Sequence, residues 1–442
     1  MKVAIVSLGC AKNQVDSEVM LGLLEESGHE LVEDVTEAEA IIVNTCAFIE
    51  PAREEAVDAL LEMAALKQRG PCRRLICAGC LAQRYADELA ADLPEVDAFV
   101  GTDSVADIVA AIEGADPQRV HRRDPGGGSF LLSSRTPRRR AAPEWLAYVK
   151  LAEGCDHECS FCAIPGIRGP QRSRPPDDVL AEVRQLIVEG VRELNLIAQD
   201  TSNYGADLFG RPGLAGLLRR IGELEFGGWV RVLYLHPARI TDELLAAFAD
   251  TQALVPYLDI PLQHAAPGVL QAMRRPGDPE SHLALIERIR RAVPEAAVRT
   301  TFLLGFPGET DADFELLCQF VQEARFDRLT AFAFSPEEGT PAFDAHPQVP
   351  SEVAQERLAA LMALQEPISL ANNQRFVGCR LRVLLEAPAP QEGWMIGRSY
   401  RDAPEVDGEV RVEGACEPAG EFADVLITQA LVHDLVGRAT AS

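Results

Sequence analysis

The chain has 442 residues, 47% of them hydrophobic and 25% charged, with 42 Lys and Arg against 68 Asp and Glu, a net charge of −26. No region is globally basic, which disfavours a large nucleic-acid footprint. The longest stretch free of Asp, Glu, Lys and Arg, Ile260–Met273, is too short for a membrane-spanning helix, which needs about 20 apolar residues. Acidity of this size suits a basic partner, and solubility alone accounts for it as simply. The apolar run Val3–Leu8 is too short for a secretory signal, and Asp16 and Glu18 soon follow it, so a cytoplasmic location is expected. Eleven cysteines, an odd number, point to metal or redox use rather than a disulfide framework.

The length suggests about three domains. In residues 1–120, apolar runs at Val3–Leu8, Ala40–Val43, Leu75–Cys77 and Val96–Val100 alternate with helical patterns at Asp16–Glu26, Arg53–Leu66, Tyr85–Leu93 and Val105–Ile112. That alternation predicts a doubly wound parallel sheet. Residues 121–143, with Asp124-Pro-Gly-Gly-Gly-Ser and Thr136-Pro-Arg-Arg-Arg-Ala-Ala-Pro143, read as a linker. Arg138–Arg140 within it read as a solvated charge run, with phosphate contact as the sharper alternative. Residues 144–374 resume the alternation. Strands are expected at Ala147–Leu151, Glu193–Ile197, Trp229–Leu235, Tyr257–Ile260, Val298–Leu304 and Thr330–Phe334, with helices such as Asp177–Glu189, Asp242–Ala249, Glu280–Ala292 and Asp311–Ala324 between them. Six such units predict a full or partial α/β barrel. Residues 375–442, rich in Val, Gly and Pro, predict a small antiparallel β-barrel of OB-like size, with strands at Arg380–Leu385, Glu409–Glu413 and Asp424–Thr428.

Cys10, Cys46 and Cys80 each follow one of the first three strands, 36 and 34 residues apart. In a doubly wound sheet this spacing brings them to the carboxyl edge, where such sheets bind ligands. Three thiolates there suit an iron–sulfur cluster; small core residues beside glycine turns are the equally weighted reading. Cys77 falls inside an apolar strand and reads as core, and Cys72, Cys318, Cys379 and Cys416 stand alone. Cys155, Cys159 and Cys162 form a C-x3-C-x2-C loop just after the first barrel strand. Zinc wants four closed ligands, and His157 sits inside the loop, where a closed tetrahedron is awkward. Three thiolates on a four-iron cluster leave one iron open, the arrangement that binds S-adenosylmethionine (SAM) in radical enzymes.

With both cysteine sets in place, the chain resembles the radical-SAM methylthiotransferases over nearly its full length. The resemblance rests on the two triads, on Gly305-Phe-Pro-Gly-Glu309, on Leu196-Ile-Ala-Gln-Asp200 and on the tail, which looks like a TRAM domain. It implies a radical-SAM partial barrel and two four-iron, four-sulfur clusters, one auxiliary on Cys10, Cys46 and Cys80 and one on Cys155, Cys159 and Cys162. It also implies SAM bound near Phe161, Gln199, Gly305 and Gly308. One SAM would methylate sulfur associated with the auxiliary cluster, and a second would yield the radical that activates a carbon for methylthio transfer.

Segments such as Ser7–Glu18, Asn44–Ile49, Cys80–Tyr85, Leu258–His264 and Ser335–Pro341 resemble the branch acting on an aspartate β-carbon of ribosomal protein S-twelve. The alternative branch acts on a tRNA adenosine and typically carries a short basic turn after its second cysteine. Ala47-Phe48-Ile49 stands here instead. The tail has 7 Arg, no Lys and 11 acidic residues, net −4, which suits a basic ribosomal protein or the small ribosomal subunit better than RNA. An electron donor and a sulfur source are further implied partners; a membrane and DNA are not. A non-catalytic iron–sulfur carrier or sensor is the competing class. His236, His264, Asp259 and Glu337 are readable either as chamber-lining or as structural residues.

Overall fold

A computed structural model of the chain describes residues 1–125 and 130–440. Gly126–Ser129, the glycine run of the expected linker, lie outside the described residues. The first sheet is six-stranded and parallel: β1 (Lys2–Ser7), β2 (Glu30–Leu31), β3 (Ala40–Thr45), β4 (Arg74–Gly79), β5 (Ala98–Val100) and β6 (Val120–His121), in the order β2-β1-β3-β4-β5-β6. Alternate residues of these strands face opposite helix layers, as a period of two requires. Val3, Ile42 and Ile76 meet helices Ala11–Glu26 and Ile108–Glu113. Ala4, Ile41, Leu75 and Cys77 meet helices Glu50–Arg69 and Cys80–Asp92. The strand order reverses direction between β1 and β3, which opens a crevice at their carboxyl ends.

The central segment adds β7 (Leu146–Lys150), the short antiparallel pair β8 (Ala152–Glu153) and β9 (Arg172–Ser173), then β10 (Glu193–Ile197), β11 (Trp229–Val232), β12 (Leu254–Asp259), β13 (Ala297–Leu304) and β14 (Arg328–Ala333). The parallel sheet runs β7-β10-β11-β12-β13-β14, each main strand beside its predecessor, with β7 and β14 as unpaired edges: a partial barrel. Its outer face, with Val149, Leu196, Val232 and Leu258, packs under a layer of helices. Its inner face is mixed: Glu193, Arg231 and Asp259, all buried, stand among Tyr148, Ile197, Trp229 and Tyr257, which pack with apolar residues of the first segment and the tail.

The tail forms β15 (Arg380–Pro388), β16 (Trp394–Ser399), β17 (Val410–Glu413), β18 (Phe422–Ala430) and β19 (Leu435–Ala439), a closed five-stranded barrel around Val383, Leu385, Val412, Val425 and Ile427. The expectation of an all-antiparallel barrel needs one correction: β17 and β19 pair in parallel, and that pairing takes part in closing the ring. Among the described residues no helix is long and apolar enough to cross a membrane.

The three parts are joined by buried charge. Arg138 is not the solvated residue expected: it donates to Glu18 at 2.6 Å and to Glu182 at 2.7 Å, bridging helix Ala11–Glu26 and helix Pro176–Val188. Arg140 donates to the Glu144 carbonyl at 3.0 Å, and Arg139 is exposed. Gly22 permits this docking, because a Cβ there would lie 2.5 Å from the Arg138 backbone nitrogen. At the other junction Glu193 accepts from Arg231 at 2.8 Å and from Arg398 of β16 at 2.6 Å. Burial disfavours the Glu193 carboxylate, but Arg398 and Arg231 outweigh it and hold its pKa below the ordinary value.

Replacing Glu193 with alanine leaves two buried guanidiniums without this partner and is expected to cost about 3–5 kcal/mol of stability by urea unfolding. A cost under about 1 kcal/mol would show the cluster to be dispensable. In the native chain the stabilisation from Glu193 is complete above the unfolded pKa of about 4.3. It disappears as pH falls through the lowered folded value.

Candidate active site

The first cysteine triad gathers at the carboxyl ends of β1, β3 and β4. Cys10 caps helix Ala11–Glu26, Cys46 directly follows β3, and Cys80 opens helix Cys80–Asp92. Two glycines make the approach possible. Gly9 has φ +92°, and a Cβ on it would sit 2.9 Å from the Cys46 Cβ; Gly79 has φ +90°, and a Cβ on it would sit 2.2 Å from Asn44 Oδ1. Asn13 ties the edge together, donating from Nδ2 to the carbonyls of Leu8 at 3.0 Å and Thr45 at 2.8 Å. Desolvation raises the pKa of Cys46 and pushes Cys80 up to about 11. For Cys10 desolvation is outweighed by Lys12, Arg168 and the N–H groups of Asn13 and Lys12, which hold its thiol below the ordinary value.

The second triad lies in the loop after β8. Gly154, at φ +79°, lets that loop rest on Pro170, whose carbonyl oxygen would be 2.1 Å from a Cβ. The Cys155 N–H donates to the Gly169 carbonyl at 3.0 Å, and Ser160 Oγ to the Ala272 carbonyl at 2.7 Å. Burial pushes Cys155 up to about 11 and Cys162 up to about 12. Arg275 Nη1 stands 4.0 Å from Cys159 Sγ. His157 turns to Asp200, with 2.6 Å between Nε2 and Oδ2, and stacks on His236 at 4.1 Å between ring centroids. Among the described residues no three His, Cys, Asp or Glu side chains converge tightly enough for a single metal ion. A four-iron cluster instead takes each thiolate on a different iron.

Arg168, only 2% exposed, links the two triads. Its Nη2 stands 3.5 Å from Cys80 Sγ and donates to Asn13 Oδ1 and Asp16 Oδ2, both at 2.9 Å. Its Nη1 donates to Glu153 Oε1 at 2.7 Å, two residues before Cys155. Lys150 also bridges Asp16 and Glu153. Burial opposes the Glu153 carboxylate, and Arg168 and Lys150 overcome it, holding its pKa far below the ordinary range. A second link runs from Lys12, whose Nζ lies 3.4 Å from the Tyr234 ring centroid, just past β11. Neither link was anticipated. Asp16, Lys150 and Glu153 stand in segments rich in chemistry, but a pairing across 152 residues leaves no local pattern.

The residues anticipated around SAM fall into two groups. Gln199 donates to Glu153 Oε1 at 3.0 Å, and its own Oε1 is buried without a hydrogen-bond partner among the described residues. Phe161 packs in one apolar cluster with Phe306 of the 305–308 turn. Gly305, at φ +73°, is pressed against the helix Ser351–Gln374, where its Cβ would meet the Ala354 Cβ at 2.4 Å. Gly308, at φ +86°, has open space on that side. The ambiguous residues have structural partners. Asp259 holds Arg299 at 3.0 Å, Glu337 pairs with Arg53 and Arg84, and His264 accepts the Ala266 N–H at 2.9 Å. Burial lowers the His264 pKa to about 4.

Family models match along the chain: the uncharacterized protein family UPF0004 over residues 2–101, the Radical SAM superfamily over 149–321 and the TRAM domain over 377–440. Among curated relatives, the ribosomal protein uS12 methylthiotransferase RimO of Anaeromyxobacter sp. (strain K) is 46% identical over 441 residues, 100% of this chain and 93% of the relative. The protein of that name from Acaryochloris marina is 47% identical over 440 residues, 99% of this chain and 98% of the relative. Among solved structures, the radical S-adenosylmethionine methyltransferase TsrM from Kitasatospora setae shares the fold with a TM-score of 0.59 at 15% identity, covering 92% of this chain and 82% of that one. Full-length identity of this size shows that the chain belongs to the RimO family of radical-SAM methylthiotransferases.

Proposed function

We propose that this chain attaches a methylthio group to the β-carbon of an aspartate in ribosomal protein S-twelve, in the cytoplasm, using two four-iron clusters and SAM. The observation that carries the reading is geometric: two cysteine triads stand on the facing carboxyl edges of two parallel sheets, joined through Arg168. Full-length relatives named for that activity support it.

The residues present fit the cofactors. Thiolates are the preferred donors of such clusters, and three per cluster leave one iron open. Cys10, Cys46 and Cys80 would hold the auxiliary cluster, and Cys155, Cys159 and Cys162 the one that meets SAM. The buried, unpartnered Gln199 Oε1 is a polar group in want of a ligand. Phe161 offers an apolar surface for the adenine, and the open Gly308 a close backbone approach. Bound there, the clusters and SAM supply a carbon-centred radical for hydrogen abstraction and a sulfur that is methylated and transferred.

The chain's own residues position and shield. Arg168 and Lys150 keep Glu153 ionised and fixed, and Glu153 fixes Gln199. Glu337, gripped by Arg53 and Arg84, ties the loop after β14 to the first sheet's helices. An electron donor and a sulfur source complete the set of partners.

Mass spectrometry of ribosomal protein S-twelve from cells with and without this gene tests the reading. The methylthio modification is expected on one aspartate only when the gene is present, and an unchanged aspartate would refute it. Cys159→Ala is expected to abolish SAM cleavage while keeping about four of about eight irons per chain. Cys46→Ala is expected to leave SAM cleavage in the wild-type range and to stop methylthio transfer. Full product from Cys46→Ala would remove the auxiliary cluster from the first triad.

A further inference from the structure

Of the cations that stand between the two cysteine triads, Arg168 and Lys150 are both held by Asp16 and Glu153. Lys12 has no such partner. It is half-buried on the first turn of helix Ala11–Glu26, two residues after Cys10, and among the described residues no carboxylate pairs with it. Its ammonium instead lies 3.4 Å from the centroid of the Tyr234 ring, on the edge of the other sheet. A ring face attracts a cation but carries no countercharge. The acids nearby are already taken. Asp16 holds Lys150 and Arg168, and Asp259 accepts from Arg299 and from the Tyr234 N–H, both at 3.0 Å. Tyr234 itself is held in a costly pose. Its φ is +64°, in the left-handed region that a bulky side chain rarely adopts. Asp259 fixes its N–H, and its carbonyl accepts the Thr201 N–H at 3.0 Å, two residues past Gln199. Backbone strain of this kind persists only where the surroundings fix it, and it clusters at ligand sites.

We propose that Lys12 and Tyr234 bind the side-chain carboxylate of the substrate aspartate. This rests on the function proposed above and names the residues that recognise the acid. The β-carbon that reacts is bonded directly to that carboxylate, so the charge must enter the space between the triads with it. A carboxylate drawn out of water needs a cation and hydrogen-bond donors there. Arg168 and Lys150 are committed to the protein's own acids, and Lys12 is free to supply the charge. Its ammonium has three N–H donors, and the Tyr234 hydroxyl offers an O–H. Because Lys12 is two residues from Cys10, the bound carboxylate stands on the side of the triad assigned to the auxiliary cluster. The carboxylate of SAM is the other anion to consider. The placement of Lys12 disfavours it, since the loop of Cys155, Cys159 and Cys162 belongs to the other sheet edge. A site built on an unpaired ammonium also rejects asparagine, which has the same shape without the charge.

The test is binding without turnover. Full-length protein with its clusters is titrated into fluorescein-labelled ribosomal protein S-twelve, in its natural form and with the target aspartate changed to asparagine, and anisotropy is read. Wild-type protein is expected to bind the asparagine form about tenfold more weakly, the worth of one charge-assisted hydrogen bond. Lys12→Gln is expected to bind the natural form about tenfold more weakly and the asparagine form as wild type does, so that the two changes are not additive. Lys12→Arg keeps the charge and is expected to restore the preference for aspartate. Iron content of about eight per chain and unchanged affinity for SAM in Lys12→Gln separate a lost substrate contact from a lost cluster or cofactor site. The proposal is overturned by wild-type protein that binds both forms alike, by Lys12→Gln that weakens both forms equally, or by Lys12→Gln that loses iron or SAM affinity. Wild-type protein that binds neither form would overturn it together with the function on which it rests.

Discussion

A guanidinium taken wholly out of water must find carboxylates, and Arg168 finds one in the first segment of the chain and one in the central segment. It touches Asp16 and Asn13 on the first helix of the amino-terminal sheet, Cys80 at that sheet's edge, and Glu153 beside the second cysteine loop. Burial of a charge is tolerated only when such partners are fixed, so the two sheet edges cannot drift apart without stranding a charge. Everything proposed about the site depends on that distance being set, because sulfur chemistry at one triad must meet radical chemistry at the other. Lys150, shared between Asp16 and Glu153, doubles the constraint.

The same physics recurs at the other junctions. Arg138 between Glu18 and Glu182, and Glu193 between Arg231 and Arg398, add paired charge to the apolar contact that Met20, Tyr148, Trp229 and Leu384 make across the same junctions. The inner face of the partial barrel thus combines fixed charges with apolar side chains, and the tail docks on it through residues 398–407. Tyr257, for example, donates to Asp407 at 2.6 Å. Arg168, Arg231 and Arg398 are thus drawn inward to the junctions.

Much of this was legible from the residues. Strand β10, Glu193–Ile197, and helix Asp311–Ala324 fall where their periodicity places them, because each is bounded by clear punctuation. The spacing of Cys10, Cys46 and Cys80 followed from one repeat of strand and helix. Other features had no local signal. The two-residue strands β2 and β6 are too short to show a period. Helix Ala11–Glu26 starts five residues earlier than its apolar pattern. It is buried on nearly all sides and carries Asn13, Asp16 and Glu18 inward, so its polar positions read as solvent-facing. Arg138 looked solvated because its partners lie 120 and 44 residues away. Gly305 carries a further constraint with no local signal: the position of a Cβ on it is taken by Ala354 of the helix Ser351–Gln374.

In the proposed function two separate clusters occupy the two edges that Arg168 holds together. Iron and acid-labile sulfide content of anaerobically prepared full-length protein tests it most directly. About eight of each per chain are expected. About four of each in protein with all six cysteines intact would contradict it, since one triad would then be only a packing motif.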